Sequence, residues 1–257
     1  MLRVTVMRVG SCLAPAWAAG QPGLVACFPA LAMLVKAGGR AVLVDGGYGP
    51  AFLTATRHFP ARLYRWATPV RLAQGEHLLR QLPRLPDVAF ATHFHADHVA
   101  GLLDLPRDIP LLASQAAIDG LALGDMASLR AACPAGLRDA LRARNPRPVE
   151  AASRIETGLP EFPLGHDLLG DGRLIAIALP GHGIGQTGLW LPEAARFLIA
   201  DAAYSRAALR SGRMPPRSVL ARLGDADAYG RTFAALRALM ARRPEIRFDP
   251  SHCPEVA

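Results

Sequence analysis

Lysine is nearly absent from this chain of 257 residues. Lys36 stands alone, so the formal net charge of +8 is an arginine charge. The arginines read as spread along the sequence, with no dense basic run and no interleaving with aromatic residues. A nucleic-acid partner is therefore not expected. Cysteine is scarce as well: Cys12, Cys27, Cys133 and Cys253 contain no Cys-x-x-Cys pair. That excludes a zinc knuckle and a disulfide framework, and it fits reduced thiols in a cytoplasmic protein. No run of 18 apolar residues exists, which excludes a membrane-spanning helix and leaves no membrane partner to expect. Met1-Leu2-Arg3 and Ala16-Trp17-Ala18-Ala19 imitate a secretion signal, but Arg8 interrupts the apolar stretch. Val4 and Val6 instead alternate with Arg3 and Thr5, as a half-buried first strand does.

What is present is a core-building composition, 51% hydrophobic, in a chain long enough to bury it without disulfides. Leu31–Lys36 and Ala41–Asp45 read as strands around a Gly38-Gly39 turn. Helical spacing over Ala73–Leu85 predicts a helix stopped by Pro83 and Pro86. Val88-Ala89-Phe90-Ala91 is a short buried strand, and Leu111-Leu112-Ala113 another. Residues 114–144 are helical with a break at Pro134, and residues 145–172 read as a Pro/Gly-punctuated connection. Leu174–Leu179, Gly188–Leu191 and Arg196–Ala200 are strands. Asp225–Arg243 is a long amphipathic helix with Phe233, Leu236, Leu239 and Met240 inward, and Ile246–Phe248 is a last strand. The pattern predicts one domain over residues 1–257, of two similar halves, about 1–125 and 170–257, joined by a helical segment. Its class is α/β, two sheets with helices outside.

The densest chemistry lies in His93-x-His95-x-Asp97-His98, four candidate ligands within six residues. In extended backbone the side chains at i and i+2 point the same way, so His93 and His95 can hold one ion. A turn at Ala96 would aim Asp97 and His98 at a second ion. Imidazole and carboxylate suit zinc and other borderline first-row cations. His182 sits in a Pro180-Gly181-His182-Gly183 turn after a strand. Asp201 follows the wholly apolar Phe197-Leu198-Ile199-Ala200, where an unpaired carboxylate would be costly and a cation resolves the cost. His252 stands in Pro250-Ser251-His252-Cys253-Pro254.

Together these blocks resemble the metallo-β-lactamase superfamily, in its hydrolase branch with His-x-His-x-Asp-His. The resemblance runs from Asp45 to His252, and it implies a four-layer αββα sandwich with two metals at one edge. Carried over by position, His93, His95 and His182 would hold the first metal. Asp97, His98 and His252 would hold the second, and Asp201 would bridge them. Asp45 matches the buried aspartate of the family's early Asp-x-Gly turn, a supporting residue rather than a ligand. The chain departs from the family where Ala100-Gly101 replaces paired glycines and where Gln186 replaces a further histidine. The implied cofactors are two divalent ions, zinc foremost, with manganese, iron and cobalt open.

Two divalent ions, two aspartates and a shared hydroxide sum to +1, a charge that favours a carbonyl or an anionic group and stabilises a developing oxyanion. The expected reaction is attack of that hydroxide on the carbonyl of a small-molecule ester. Asp97 would pass a proton to the leaving group and Tyr204 would donate to the oxyanion. Asp201-x-x-Tyr204 resembles quorum-quenching N-acyl-homoserine lactonases, which points to a lactone. A thioesterase similar to glyoxalase II, a mononuclear iron sulfur dioxygenase and a nucleic-acid phosphodiesterase are the rival readings. Residues 114–144 are a candidate cover over the site, with Leu121, Leu123, Met126 and Leu129 as its apolar wall.

Overall fold

The alternation at the chain start continues further than the sequence suggests. The computed structural model describes residues 2–256, so the Met1 of the signal-like start lies outside them. Strands β1 (Arg3–Pro15) and β2 (Val25–Ala37) form a long antiparallel hairpin, Arg3 facing Lys36 and Pro15 facing Val25. Chain reversal at Gly38-Gly39 leads into β3 (Arg40–Val44), as expected. With β4 (Val70–Arg71), β5 (Val88–Phe90), β6 (Leu111–Ala113) and β7 (Arg147–Pro148), the first sheet has the order β4-β1-β2-β3-β5-β6-β7. A second sheet holds β8 (Arg154–Glu156), β9 (Leu164–Asp167), β10 (Ile175–Ala178), β11 (Thr187–Leu191), β12 (Arg196–Ala200) and β13 (Arg247–Pro250). Its order is β13-β12-β11-β10-β9-β8.

The two-residue period of each strand sorts its side chains into separate cores. Met33, Val35, Val42 and Val44 pack between the sheets with Ala176, Leu189, Leu191 and Leu198. Their neighbours Ala32, Leu34, Ala41 and Leu43 point the other way, onto Phe52, Leu137 and Leu141 of the outer helices. On the far side, Ile175, Ile177, Trp190 and Phe197 meet Phe233, Leu236 and Leu239 of the helix Ala226–Arg242. Helix, sheet, sheet and helix are the four layers of an αββα sandwich. Each large apolar side chain buried there contributes about 1.5–3 kcal/mol relative to exposure. The long helix begins where expected, because the Asp225 carboxylate accepts from the Asp227 and Ala228 amides, each at 2.9 Å.

Four local expectations change. The helix expected over Ala73–Leu85 shrinks to a 3₁₀ turn at Gln74–Glu76 and one α turn at Leu78–Gln81. Gly75 and Pro83 leave little room for more, and of that α turn only Leu78 is buried. The connection expected over residues 145–172 carries β7, β8 and β9, strands too short to show a period. The helical segment 114–144 is three short helices: Gln115–Gly120, Asp125–Arg130 and Ala135–Ala143. Arginine is also not evenly spread. Exposed Arg57, Arg62, Arg65 and Arg71 interleave with Phe59, Tyr64 and Trp66, and the Arg62 guanidinium lies 4.9 Å over the Trp66 ring.

Two turns that matter for function are locked by backbone contact. The Gly46 amide donates to the His98 carbonyl at 2.6 Å, and the Gly101 amide donates to the Gly47 carbonyl at 3.0 Å. A Cβ at Gly101 would collide with the Gly46 carbonyl oxygen, so only glycine fits there. The preceding Ala100 carries its methyl in the core without such a collision. Gly101→Ala is therefore expected to lower stability by about 1–3 kcal/mol, read from the urea midpoint. An unchanged midpoint would show that the two turns are not tightly coupled.

Candidate metal centre

Parallel strand pairs deliver most of the site. β3 and β5 run parallel, with Val44 beside Phe90, and their C-terminal ends lead into Asp45 and the Thr92–His98 segment. β12 and β13 also run parallel, and they lead into Asp201 and His252. His182 follows β10 on the same sheet. The Thr187 amide donates to the Thr92 carbonyl at 2.8 Å, which ties the two sheets together beside the site. All seven residues expected as ligands converge. His93, His95, His98, His182, Asp201 and His252 are buried, and Asp97 is partly open.

Their donor atoms form overlapping groups: His93, His95 and His182; His93, His98 and Asp201; Asp97, His98 and His252. His182 Nε2 lies 3.1 Å from His95 Nδ1. Asp201 Oδ2 lies 3.1 Å from His182 Nε2, 3.1 Å from His252 Nε2 and 3.4 Å from His98 Nε2. It thus faces both ends of the cluster, as a bridging carboxylate must. His252 Nε2 is 3.4 Å from Asp97 Oδ2. Fitness for cations shows in the atoms left over. His93 Nε2, His95 Nε2 and Asp201 Oδ1 are buried with no hydrogen-bond partner among the described residues. An unsatisfied buried polar atom costs about 1–3 kcal/mol, and a bound cation removes that cost.

Outer contacts aim the rings. The Asp45 carboxylate accepts from the Thr92 amide at 2.8 Å and from the Thr92 hydroxyl at 2.9 Å, and it lies 2.8 Å from His98 Nδ1. With its hydroxyl proton committed to Asp45, Thr92 Oγ1 can accept from His93 Nδ1 at 3.1 Å. His252 Nδ1 lies 2.7 Å from the Pro29 carbonyl of β2. Each such partner fixes the tautomer and turns the other nitrogen toward the cluster. Asp45 therefore has the supporting place expected of it. Thr92 and Pro29 did not stand out in the sequence. Thr92 directly precedes the histidine motif, whereas the Pro29 contact spans 223 positions and has no local signal. Gly183 packs so closely on His93 that a Cβ would lie 2.7 Å from the His93 ring.

The electrostatics are those of a cluster built for positive charge. Burial and the neighbouring imidazoles hold His93 and His95 well below the usual histidine range. Burial also pulls on His98, but the carboxylates of Asp201 and Asp45 outweigh it and push that ring up. His252 is raised in the same way by Asp201 and Asp97 against its burial. For Asp201, burial is outweighed by His252, His98 and His182, which hold the carboxyl well below the ordinary range.

A cavity of about 190 Å³ opens over the cluster. Its wall includes His95, Asp97, His182, Asp201 and His252, together with Cys12, Phe28, Tyr48, Tyr64 and Tyr204. Tyr204 stands where expected, its ring stacked at 6.0 Å on His252 and its hydroxyl 3.5 Å from His182 Nδ1. Of residues 114–144 only Ala132 reaches this wall. Leu121 and Leu123 line a separate cavity of about 20 Å³ beside His95, and Met126 is exposed. The cover is instead made by the β1–β2 end and by Val219 and Leu223.

Metal uptake should be coupled to protons. The raised values of His98 and His252 favour their protonated forms in the metal-free protein. A bound ion must expel those protons, so affinity should tighten as pH rises from about 6 to about 8. Zinc titration calorimetry in buffers of different ionisation enthalpy measures the protons released. Uptake without proton release would contradict the arrangement.

No sequence among curated proteins matches the chain. Solved structures do. An N-acyl homoserine lactone hydrolase with N-hexanoyl-L-homoserine at its metal centre superposes with a TM-score of 0.72 at 14% identity, over 98% of this chain and 93% of the other. A B. thuringiensis AiiA variant with bound N-decanoyl-L-homoserine gives 0.72 at 14% identity, over 98% and 93%. AidC, described as a dizinc quorum-quenching lactonase, gives 0.66 at 15% identity, over 98% and 88%. The sequence profile of the metallo-beta-lactamase superfamily matches residues 25–248. By that match, on a four-layer sandwich with its histidine and aspartate cluster at one edge, this chain belongs to the metallo-beta-lactamase superfamily.

Proposed function

We propose that this protein is a dinuclear metal-dependent hydrolase that opens a lactone or a related neutral ester. The observation that carries the reading is the wall of the cavity. In a chain of net charge +8, no arginine or lysine is among its lining residues. Apart from the cluster itself, Cys12 and Thr68, the wall is apolar or aromatic, with Ala14, Pro15, Ala19, Phe28 and Leu223 among its members. Beyond the cations of the cluster itself, a phosphodiester or an anionic thioester carrier would meet no positive side chain in the wall, and burying a charge with too few partners is costly. A neutral acyl ester meets no such cost. The likeness to lactone hydrolases agrees with this, as does Tyr204 three residues after Asp201.

His93, His95 and His182 would hold one cation, Asp97, His98 and His252 a second, with Asp201 between them. Zinc suits this donor set, and AidC is described as a dizinc enzyme. A pair of divalent cations there would supply an activated water at neutral pH and polarise the acyl oxygen. The remaining steps fall to the chain. Asp97, its side chain 15% exposed at the cavity wall, takes a proton from the attacking water and passes it to the leaving oxygen. The Tyr204 hydroxyl donates to the developing oxyanion. It keeps its proton for that task, because burial and the nearby Asp201 push it well above the usual phenol range. Phe28, which meets the Tyr204 ring edge-on at 6.0 Å, restricts where that hydroxyl points.

The chain is best taken as one domain, since the core between the sheets draws on both halves. No helix among the described residues is long and apolar enough to cross a membrane. All four cysteines are free, which supports a reducing, cytoplasmic setting.

A hydrolysis screen over neutral lactones, thioesters, β-lactams and phosphodiesters tests the reading. Turnover confined to lactones or simple esters is expected, and preference for a phosphodiester would overturn it. His95→Ala should lose bound metal and turnover together, so undiminished metal content by elemental analysis would count against the assignment. Tyr204→Phe should keep its metal and its KM while kcat falls on the order of 100-fold. An unchanged kcat would leave Tyr204 as a packing residue.

A further inference from the structure

Asp249 is wholly buried, yet it bears a charge that no metal group uses. Three arginines surround it: Arg196 of β12, Arg247 of β13 and Arg206 at the start of the helix Arg206–Ser211. Arg206 differs from the other two in what else it touches. Its Nε donates to the Phe248 carbonyl at 2.7 Å, and its Nη1 donates to the Glu255 carbonyl at 3.3 Å. Its backbone amide donates to Cys253 Sγ at 3.4 Å, and its Nη2 donates to Asp249 Oδ1. One arginine therefore grips residues 248, 249, 253 and 255, on both sides of His252. That same arginine lies five positions after Asp201 in the chain.

The link matters because Asp201 and His252 come from different segments. Each follows the end of one of two parallel strands, and their contact at 3.1 Å depends on how those ends are held. The backbone there is not regular. Ala200 has φ +49°, a left-handed conformation that an alanine adopts only under constraint, and the strand register slips between Leu198 and Ala200. Immediately before His252, the Ser251 amide donates to the Ala200 carbonyl at 3.1 Å. A segment carrying one ligand, beside a constrained residue carrying another, needs an external brace. A rigid guanidinium fork with several acceptors suits that task better than an ammonium.

We propose that Arg206, through Asp249 and the carbonyls of Phe248 and Glu255, is a positioning residue that sets the spacing of His252 from Asp201. It thereby governs occupancy of the metal position formed by Asp97, His98 and His252. The group formed by His93, His95 and His182 stands on other segments and does not depend on the brace. The inference rests on the two-metal reading above.

Zinc titration of the full-length chain, with near-UV circular dichroism to confirm the fold, tests both separately. The unaltered chain should take up two equivalents. Arg206→Ala should keep one equivalent at undiminished affinity and bind the other about 10–100-fold more weakly. Arg206→Lys keeps charge beside Asp249 but loses the fork, and it should weaken the same ion by a smaller factor. Arg247→Ala removes an arginine from the same carboxylate without touching residues 253–255, and it should bind two ions as the unaltered chain does. Two ions bound at full affinity by Arg206→Ala would overturn the brace alone. Equal weakening of both ions in a folded Arg206→Lys would reduce it to general stability and overturn it too. A single equivalent in the unaltered chain would overturn the two-metal reading, and the brace with it.

Discussion

A carboxylate buried away from water persists only when its oxygens are filled, and Asp45 fills its own from the histidine motif itself. The Thr92 amide, the Thr92 hydroxyl and His98 Nδ1 all meet that one side chain. Asp45 has φ +56°, in the left-handed region that aspartate tolerates better than most residues. The turn after β3 is thereby fastened to the turn after β5. Hydrogen bonds then run outward from Asp45, through Thr92 to His93 and directly to His98, so two imidazoles are aimed by one acid. The strained turn, the glycine-tight contact between Gly46 and Gly101 and the ring orientations are parts of the same arrangement. Loosening any of them would let the donor atoms drift apart.

Charge is segregated on a larger scale. The arginines lie outside the cavity, and several are spent on structural carboxylates: Arg138 on Asp139 and Asp125, and Arg206 and Arg196 on Asp249. Asp97 and Asp201 are the only carboxylates in the cavity wall, beside His95, His182 and His252. This separation leaves a chain of pI about 10.1 with a cavity whose wall holds no arginine or lysine. Surface charge steers partners and solubility over the distance of a Debye length. It does not reach into a walled cavity with no cationic side chain. Net charge alone is therefore a poor guide to substrate class here, and the lining residues are the better one.

Much of the site was legible in the sequence because its densest part is local. Four ligand types within six residues, placed after an apolar strand, constrain geometry before any fold is known. His182, Asp201 and His252 were legible through their setting at strand ends, since a turn after a buried strand is where a polar side chain can face inward and still find a partner. The four-layer architecture was expected from the resemblance of the motif blocks, and the chain builds it by alternation in long strands such as β2, where Met33 and Val35 face one core and Leu34 the other. Short elements carried no such signal. β8 and β9 have three and four residues, and their place is set by pairing with each other and with β10. The expected helix over Ala73–Leu85 failed because its leucines had the right spacing but Gly75 and Pro83 bounded it too closely. The interleaved arginines of residues 57–71 were misjudged because one chain-wide count hid a local concentration.

The least legible part is the support around His252. Its ring is fixed by the Pro29 carbonyl from one end of the chain, and its segment is gripped by Arg206 from the middle. Neither partner lies near His252 in sequence, and neither residue type is unusual where it stands. The two sides of the cluster are therefore built by different means. The His93–His98 side takes four candidate ligands from one continuous turn, which Asp45 aims from the end of β3 and His182 completes from the second sheet. The His252 side exists only after both sheets have formed and the last strand has docked parallel to β12. On the proposed two-metal reading, cation affinity on the second side would follow the stability of the C-terminal segment, and a change far from any ligand would alter it.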